Sequence, residues 1–375
     1  MHMGLLSNFF NKTEPSVLGI DIGSSAIKIV QIKKKNGQAV LETYGELALG
    51  PYGGASVGQA VNLPPDKIAQ ALSDLMNEKE VNITTKKCGL SIPFASSLMS
   101  EIEMPEVSAK QLSVMIPLEA RKYIPVPISE VTLDWSVIPK SEIHTEKILA
   151  DSSKENRELS AMPKIDVLVV AIHNDTLAKF TDIVGKSGLD AGFFEIEIFS
   201  TMRAVLDQGL QPVMIMDIGA ASTKLYIVER GIVKASHTVN RGSQDITLTI
   251  SKSLGVTIEQ AEVMKREIGA SGEDKTLKEV IGLTLDYIFA EADRTLLAFE
   301  KKYNKTVSRV ILVGGGSALK GLSELSKENF KTEALSGDPF SKLSAPAFLQ
   351  NILKETGPEF AVAIGIALRR LSEEE

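Results

Sequence analysis

The feature that most constrains this chain is a pattern it carries twice. Residues 17–30 read V-L-G-I-D-I-G-S-S-A-I-K-I-V, and residues 213–228 read V-M-I-M-D-I-G-A-A-S-T-K-L-Y-I-V. Asp21, Gly23 and Lys28 return as Asp217, Gly219 and Lys224, since 217 − 21 and 224 − 28 both equal 196. An apolar, β-branched run ending in Asp, then Gly with small or hydroxyl residues, then a second apolar run, predicts strand, tight turn, strand. Gly23 with Ser24 and Ser25, and Gly219 with Ala220, Ala221 and Ser222, are then turns whose backbone N–H groups can approach a phosphate. Glycine at φ > 0 is expected to make that approach possible. Two such hairpins imply two similar halves with a phosphate-bearing ligand between them. One carboxylate from each half, Asp21 and Asp217, would hold a divalent ion through water.

A third element follows at residues 310–316, V-I-L-V-G-G-G, continuing as S-A-L-K-G-L. A buried strand running into Gly314, Gly315 and Gly316, with Ser317 after them, lets backbone pass close to a flat ligand such as a purine and ribose. In order and character the three motifs resemble the actin-like ATPase superfamily. That resemblance implies an α/β fold of two lobes, ATP as ligand, the hairpins as its two phosphate loops and the triple glycine as its adenosine motif. It assigns Asp21 and Asp217 to Mg²⁺ and Lys28 to the β- or γ-phosphate, with weaker support for Lys224.

Composition excludes more than it selects. With 41 basic against 48 acidic residues and a formal charge of −7, the chain lacks the basic surface that nucleic-acid binding needs. Its single cysteine, Cys88, excludes an intrachain disulfide or a cysteine metal cluster and suits a reducing compartment. No run approaches the ~20 apolar residues of a membrane span, so a cytoplasmic protein is expected. The four histidines show no metal-ligand spacing. At 375 residues more than one core is expected.

Along the chain, residues 5–10 have helical spacing and are read as a short amphipathic turn or a frayed end. Asn36-Gly37 predicts the next hairpin turn. A glycine-rich loop at 50–58 precedes a helix beginning near Pro65, with Ile68, Leu72 and Leu75 on one face. Composition then changes. Ser108 with Gln111 forms a capping box, Pro117 is expected to kink the helix that follows, and a strand at 131–138 includes Trp135. Residues 142–164 are polar and aperiodic. Further on, Asp175 is read as a helix cap, and a helical region at 276–303 is expected to break near Gly282. Two more helices, at 321–329 and 358–370, are expected against the second sheet. The first lobe is drawn at 16–88 and 166–209, an inserted α/β subdomain at 89–165, the second lobe at 210–241 and 306–375, and its helical subdomain at 242–305.

An insertion at that place resembles the FtsA branch of the superfamily. The segments E-I-E-M-P, R-K-Y-I-P-V-P-I-S-E-V-T-L-D-W, E-I-E-I-F-S-T-M-R-A-V and M-D-I-G-A-A-S-T-K-L are similar to the PilM family of type IV pilus assembly proteins. That likeness implies an ATP-binding scaffold, turning ATP over slowly at most, together with other pilus assembly proteins and assembly ATPases. Its expected partner is the N-terminal cytoplasmic peptide of a PilN-like inner-membrane protein, so the membrane would be met only through that partner. Tyr123, Ile124, Pro125, Val126 and Trp135 are the candidate peptide contacts, because the insertion carries more apolar material than its core should need; the alternative is that they are that core.

Three charged residues remain open. Glu262 and Lys265, in A-E-V-M-K, lie on one helix face as a solvated ion pair or as ribose or adenine contacts. Glu197 is either a catalytic base for ATP hydrolysis or a salt-bridged carboxylate at a helix start. Cell-division or general-secretion scaffolds are the alternative functions within this class. A small-molecule kinase of the same fold is the alternative outside it, although the insertion offers Ile, Pro, Val, Met and Trp where a kinase needs a polar sugar site.

Overall fold

In the computed structural model of the chain, residues 15–138, 163–207, 209–272 and 274–374 are described. The turn expected at 5–10 and nearly all of the polar segment expected at 142–164 lie outside them. Two compact units result, one comprising residues 1–91 and 183–375 and the other 92–182.

The larger unit contains the duplication. β1 (Ser16–Ile22), β2 (Ala26–Lys35), β3 (Gln38–Ala48), α1 (Pro65–Asn77) and β4 (Lys87–Ile92) come before the smaller unit. β8 (Asp190–Ile196) and α4 (Glu197–Val205) come after it. Their sheet runs β3-β2-β1-β4-β8. The second half repeats the plan with β9 (Val213–Ile218), β10 (Thr223–Glu229) and β11 (Ile232–Val239), then α5 (Ser243–Leu254), α6 (Ile258–Glu267) and α7 (Lys275–Tyr303). β12 (Arg309–Val313), α8 (Leu322–Phe330), β13 (Glu333–Ser336), α9 (Gln350–Thr356) and α10 (Ala361–Glu373) complete it. Its sheet runs β11-β10-β9-β12-β13. In each half the first strand pairs antiparallel with the second and parallel with a later strand.

Local chemistry accounts for several of these elements. Asn36 (φ 52°) and Gly37 (φ 78°) close the β2–β3 hairpin between Lys35 and Gln38, as a two-residue turn with both centres at positive φ demands. Thr257 and Gln260 cap α6 reciprocally. Three expectations fail. α7 is one unbroken helix of 29 residues. A Cβ on Gly282 would meet nothing within 4 Å, so the glycine costs only its own propensity, about 1 kcal/mol, and the buried stripe on either side holds the helix together. The helix expected to be capped by Asp175 begins at Asn174, leaving Asp175 in its first turn. The last helix, α10, packs against β1, β2 and α4 of the first sheet, not against the second. A Cβ on Gly19 of β1 would stand 1.9 Å from the Ala363 carbonyl, and one on Gly365 of α10 would stand 1.9 Å from that of Ser200 in α4. Glycine on both sides is what brings the backbones together, and it buries Ala361 to Ala367 on nearly every face. β8 and these two helices are also joined by charge. Glu195 accepts from Arg203 of α4 (2.7 and 2.8 Å) and from Arg369 of α10 (2.9 Å).

The smaller unit holds β5 (Ser97–Pro105), α2 (Ala109–Ala120), β6 (Val131–Val137), β7 (Lys164–His173) and most of α3 (Asn174–Lys186), with an antiparallel sheet in the order β5-β7-β6. Ser108 and Gln111 form the expected capping box, and Pro117 lies within α2. The core alternates along the strands, with Ile102 and Met104, Ile165, Val167, Val169 and Ala171, and it closes on Leu112 and Ile116 of α2.

Candidate functional site

The seven-residue spacing from Asp to Lys becomes a cross-strand pair. Asp21 faces Lys28 and Asp217 faces Lys224 in the antiparallel ladders of β1–β2 and β9–β10, so in each hairpin a carboxylate and an ammonium share one face beside the turn. The turns are alike: the Gly23 amide donates to the Ala26 carbonyl at 3.0 Å, and the Gly219 amide to the Ser222 carbonyl at 2.9 Å. Neither glycine takes the positive φ that the sequence suggested. What requires glycine is closeness, since a Cβ would stand 3.1 Å from the Ala26 oxygen in one turn and 3.0 Å from the Ser222 oxygen in the other. Gly314 does have φ 83°, and there a Cβ would meet Asp217 Oδ1 at 2.4 Å. The glycine run therefore passes directly across this carboxylate, while Ser317 turns back to bond the Gly314 carbonyl at 2.7 Å.

These elements border one cavity of about 230 Å³. Gly23, Ser24, Ser25 and Lys28 line it from the first half. Gly219, Ala220, Ala221, Ser222, Lys224, Glu262, Lys265, Gly315 and Gly316 line it from the second. Gly314, Ser317, Asp21, Asp217 and Glu197 do not themselves line it. Among the lining residues that the sequence did not single out are Glu46, Gly58, Ser243, Arg266 and Glu359. Glu46 could not be read from the turn alone: counted from Asn36-Gly37, Gly45 would stand opposite Lys28, and only a register shift in the β2–β3 ladder between Gln31 and Ile32 brings Glu46 there.

The charges are unevenly matched. Lys224 Nζ lies 2.8 Å from Glu197 and 3.3 Å from Asp217, with both carboxylates buried. Lys28 instead reaches Glu46 at 3.2 Å. Asp21 accepts from the Ser91 hydroxyl at 2.7 Å. Burial pushes the Asp21 carboxyl above its ordinary range against the pull of Ser91, Lys28 and Lys224, and Asp217 adds to the rise. The Glu197 carboxyl is raised by burial too; Lys224 opposes the rise, while Asp217 and Asp21 reinforce it. Around the two hairpins four carboxylates, Asp21, Asp217, Glu197 and Glu46, thus share two ammonium groups, and this part of the site is short of positive charge. Among the described residues no three His, Cys, Asp or Glu side chains are grouped to hold a metal by themselves. The donor set fits an ion that keeps most of its waters and takes further oxygens from a phosphate.

Glu262 and Lys265 form a buried pair at 2.6 Å, not a solvated one. Thr247 donates to the same carboxylate at 2.7 Å, and Arg266 bonds its other oxygen at 2.7 Å. Burial works against ionisation of Glu262, but Lys265, Thr247 and Arg266 hold its carboxyl below the usual range. α5 docks on the second turn, its Ser243 and Gln244 amides donating to the Gly219 and Ala220 carbonyls at 2.9 and 3.1 Å.

In the smaller unit, Ile124 is buried in the core. Val126 and Trp135 pack against that core, and so does Met115; Pro125 and Tyr123 are exposed. The apolar surplus expected there is therefore mostly consumed by the unit's own core. Tyr123, 48% exposed, the outward Val114 and Leu118 of α2, and Val137 of β6 remain exposed among the described residues.

Two sheets of identical strand order, each presenting a glycine turn with a cross-strand Asp–Lys pair to one cleft, define an actin-like fold. Its relatives agree. MreB5 of Spiroplasma citri bound to AMPPNP shares the fold with a TM-score of 0.51 at 11% identity, over 97% of this chain and 98% of that one. The cell division protein FtsA of Neisseria meningitidis serogroup B is 22% identical over 355 residues, 85% of this chain and 83% of its own. A solved PilM-PilN type IV pilus biogenesis complex matches with a TM-score of 0.77 at 24% identity, over 95% of this chain and 98% of that one. The family described as type IV pilus assembly protein PilM matches residues 19–371, and the chain belongs to that family. None of the described helices is long and apolar enough to cross a membrane.

Proposed function

We propose that this chain is an ATP-binding scaffold of type IV pilus assembly, held at the inner membrane by the cytoplasmic N-terminal peptide of a PilN-like protein. The observation that carries the nucleotide half of the reading is the pair of glycine turns, each backed by a cross-strand Asp and Lys, facing a single cleft. Ser24, Ser25 and the 219–222 turn would bind phosphate oxygens, with Lys28 and Lys224 opposing their charge. Asp21 and Asp217 would hold Mg²⁺, which when bound neutralises phosphate charge and relieves the carboxylate excess. Glu262, Lys265 and the 314–316 glycines would receive the nucleoside. Glu197 is bonded to Lys224 and does not itself line the cleft, so we read it as positioning Lys224 rather than as a free base. ATP turnover should accordingly fall far below the ~10 s⁻¹ of a typical enzyme.

Calorimetric titration of ATP with and without Mg²⁺ tests this. Asp21→Asn and Asp217→Asn should weaken only the Mg²⁺-dependent binding, by about 1–3 kcal/mol. Equal affinity in all the proteins would refute the assignment. For the partner, one solved structure similar to this chain is a PilM-PilN complex, and Tyr123 is the exposed aromatic of the smaller unit. A labelled N-terminal peptide of the PilN-like protein should bind the full chain and bind Tyr123→Ala more weakly; equal binding would remove Tyr123 from the contact.

A further inference from the structure

The segment joining β3 to α1 leaves the first half and reaches the second. Both its ends are fastened to the first glycine turn, the Leu49 amide donating to the Ser25 carbonyl at 2.8 Å and the Val61 amide to the Ser24 carbonyl at 2.9 Å. Between these points it is braced on itself. The Ala55 amide donates to the Gly50 carbonyl at 2.9 Å, and the Ser56 amide to the Gln59 side chain at 3.0 Å, which makes a compact loop rather than a loose strand. Its tip meets α5 and α6. The Ala60 amide donates to Gln244 Oε1 at 3.0 Å, and the Ser56 hydroxyl donates to the Glu259 carboxylate. Gly58, at φ +86°, lies so close to Glu262 that a Cβ would stand 2.8 Å from Oε1. Gly58 and Glu262 both line the cleft.

The attachment is strong at one side and weak at the other. Toward the first half the loop is held by backbone bonds at both ends. Toward the second it has two hydrogen bonds to side chains, the neutral one to Gln244 worth about tenfold or less in an equilibrium and the other made to an exposed carboxylate, and Val57 at the tip is 53% exposed instead of sealing anything. The cavity bordered by Gly58 measures about 230 Å³, below the ~300–1,000 Å³ of clefts that take ligands of this size. Gly58 against Glu262 therefore narrows the cleft, and releasing it would widen the way in.

Resting on the reading of the cleft as a nucleotide site, we propose that residues 49–61 are a latch. The bonds from Ala60 to Gln244 and from Ser56 to Glu259 hold the cleft shut and set the rate at which nucleotide enters and leaves. Because the loop's ends hang on Ser24 and Ser25, a phosphate bound at that turn acts on the latch directly, without a relay.

The test uses the full chain with Gln244→Ala, Glu259→Ala and both together, circular dichroism verifying the fold. Without nucleotide, amide exchange of residues 49–61 should be at least about fivefold faster in the double variant. With a fluorescent ATP analogue in stopped flow, association and dissociation rates should both rise about five- to tenfold, the Kd moving less than either. Unchanged exchange shows that these bonds do not hold the loop and overturns the proposal. Faster exchange with unchanged rates shows a loop that does not gate, and overturns it as well. If the unmodified chain binds no nucleotide, the functional reading falls, while the exchange measurement still decides whether the bonds hold the loop.

Discussion

Replacing Lys224 by Met tests the charge arrangement most directly. The ammonium lies between Glu197 and Asp217, which are 7% and 5% exposed, and its own side chain is 17% exposed. Methionine keeps the length and apolar stem but leaves two buried carboxylates without their shared cation. Removing one partner of a buried ion pair destabilises by about 3–5 kcal/mol. The lower end applies here, because the Glu197 carboxyl already sits above its ordinary range and can take up a proton. A loss of about 3 kcal/mol at pH 7.5 is therefore expected. The pH dependence carries a sign. Without the cation Glu197 binds its proton still more tightly in the folded state than in the unfolded one. Its contribution is then fully present below the unfolded carboxyl value and is lost as pH rises through the raised folded value. The deficit should shrink between pH 7.5 and pH 5. Urea unfolding followed by circular dichroism measures it, with Lys224→Met/Glu197→Gln as the second corner of a cycle that should recover at least about 1 kcal/mol. A Lys224→Met protein within about 0.5 kcal/mol of the parent at both pH values would refute the argument.

Other outcomes follow from the packing. Gly19→Ala drives a methyl into the α10 backbone, with no side chain able to give way, and should cost about 3 kcal/mol; Gly282→Ala, in open space on α7, should gain up to about 1 kcal/mol in the same melts. Glu195→Gln removes the carboxylate shared by Arg203 and Arg369, each about a third exposed, and should destabilise by about 2 kcal/mol, which thermal unfolding reads. The Cys88 thiol is fully buried and pushed up to about 12, chiefly by burial and further by Asp190, so a thiol reagent at pH 8 should leave it untouched until urea unfolds the chain.

How much was legible follows the range of the interactions. The hairpins, the Asn36-Gly37 turn and the caps at Ser108 and Thr257 are set by neighbours within a few residues, so their chemistry is written locally. The family likeness likewise rests on short strings. Long-range placement is not written that way. Nothing near residues 361–373 says that this helix returns to the first sheet; the sign of it is Gly19, far earlier in the chain, which reads as an ordinary strand residue until α10 lies on it. Gly58, Arg266 and Glu359 come to the cleft by the same kind of long-range closure. The insertion shows the same limit, since apolar residues can be counted in a sequence but which of them the core takes up, Ile124 fully and Val126 and Trp135 in part, cannot.

The duplication also shows where two copies of one plan can diverge. Register forces Asp21 opposite Lys28 and Asp217 opposite Lys224, so the first two strands of each half are equivalent. The third strands are not. β3 sets Glu46 opposite Lys28, whereas β11 sets Thr238 opposite Lys224. Lys28 is therefore drawn along its own sheet toward Glu46, while Lys224, without a carboxylate there, turns to Asp217 and to Glu197 at the start of α4. One threonine-for-glutamate difference sends the two lysines opposite ways, and it ties the second hairpin to α4. That helix is packed against α10 and shares the Glu195 ion cluster with it. A change of charge at Lys224 therefore bears on the junction of β8, α4 and α10, whereas Lys28 is bonded to the exposed Glu46 and acts through its charge on Glu359 and Asp21.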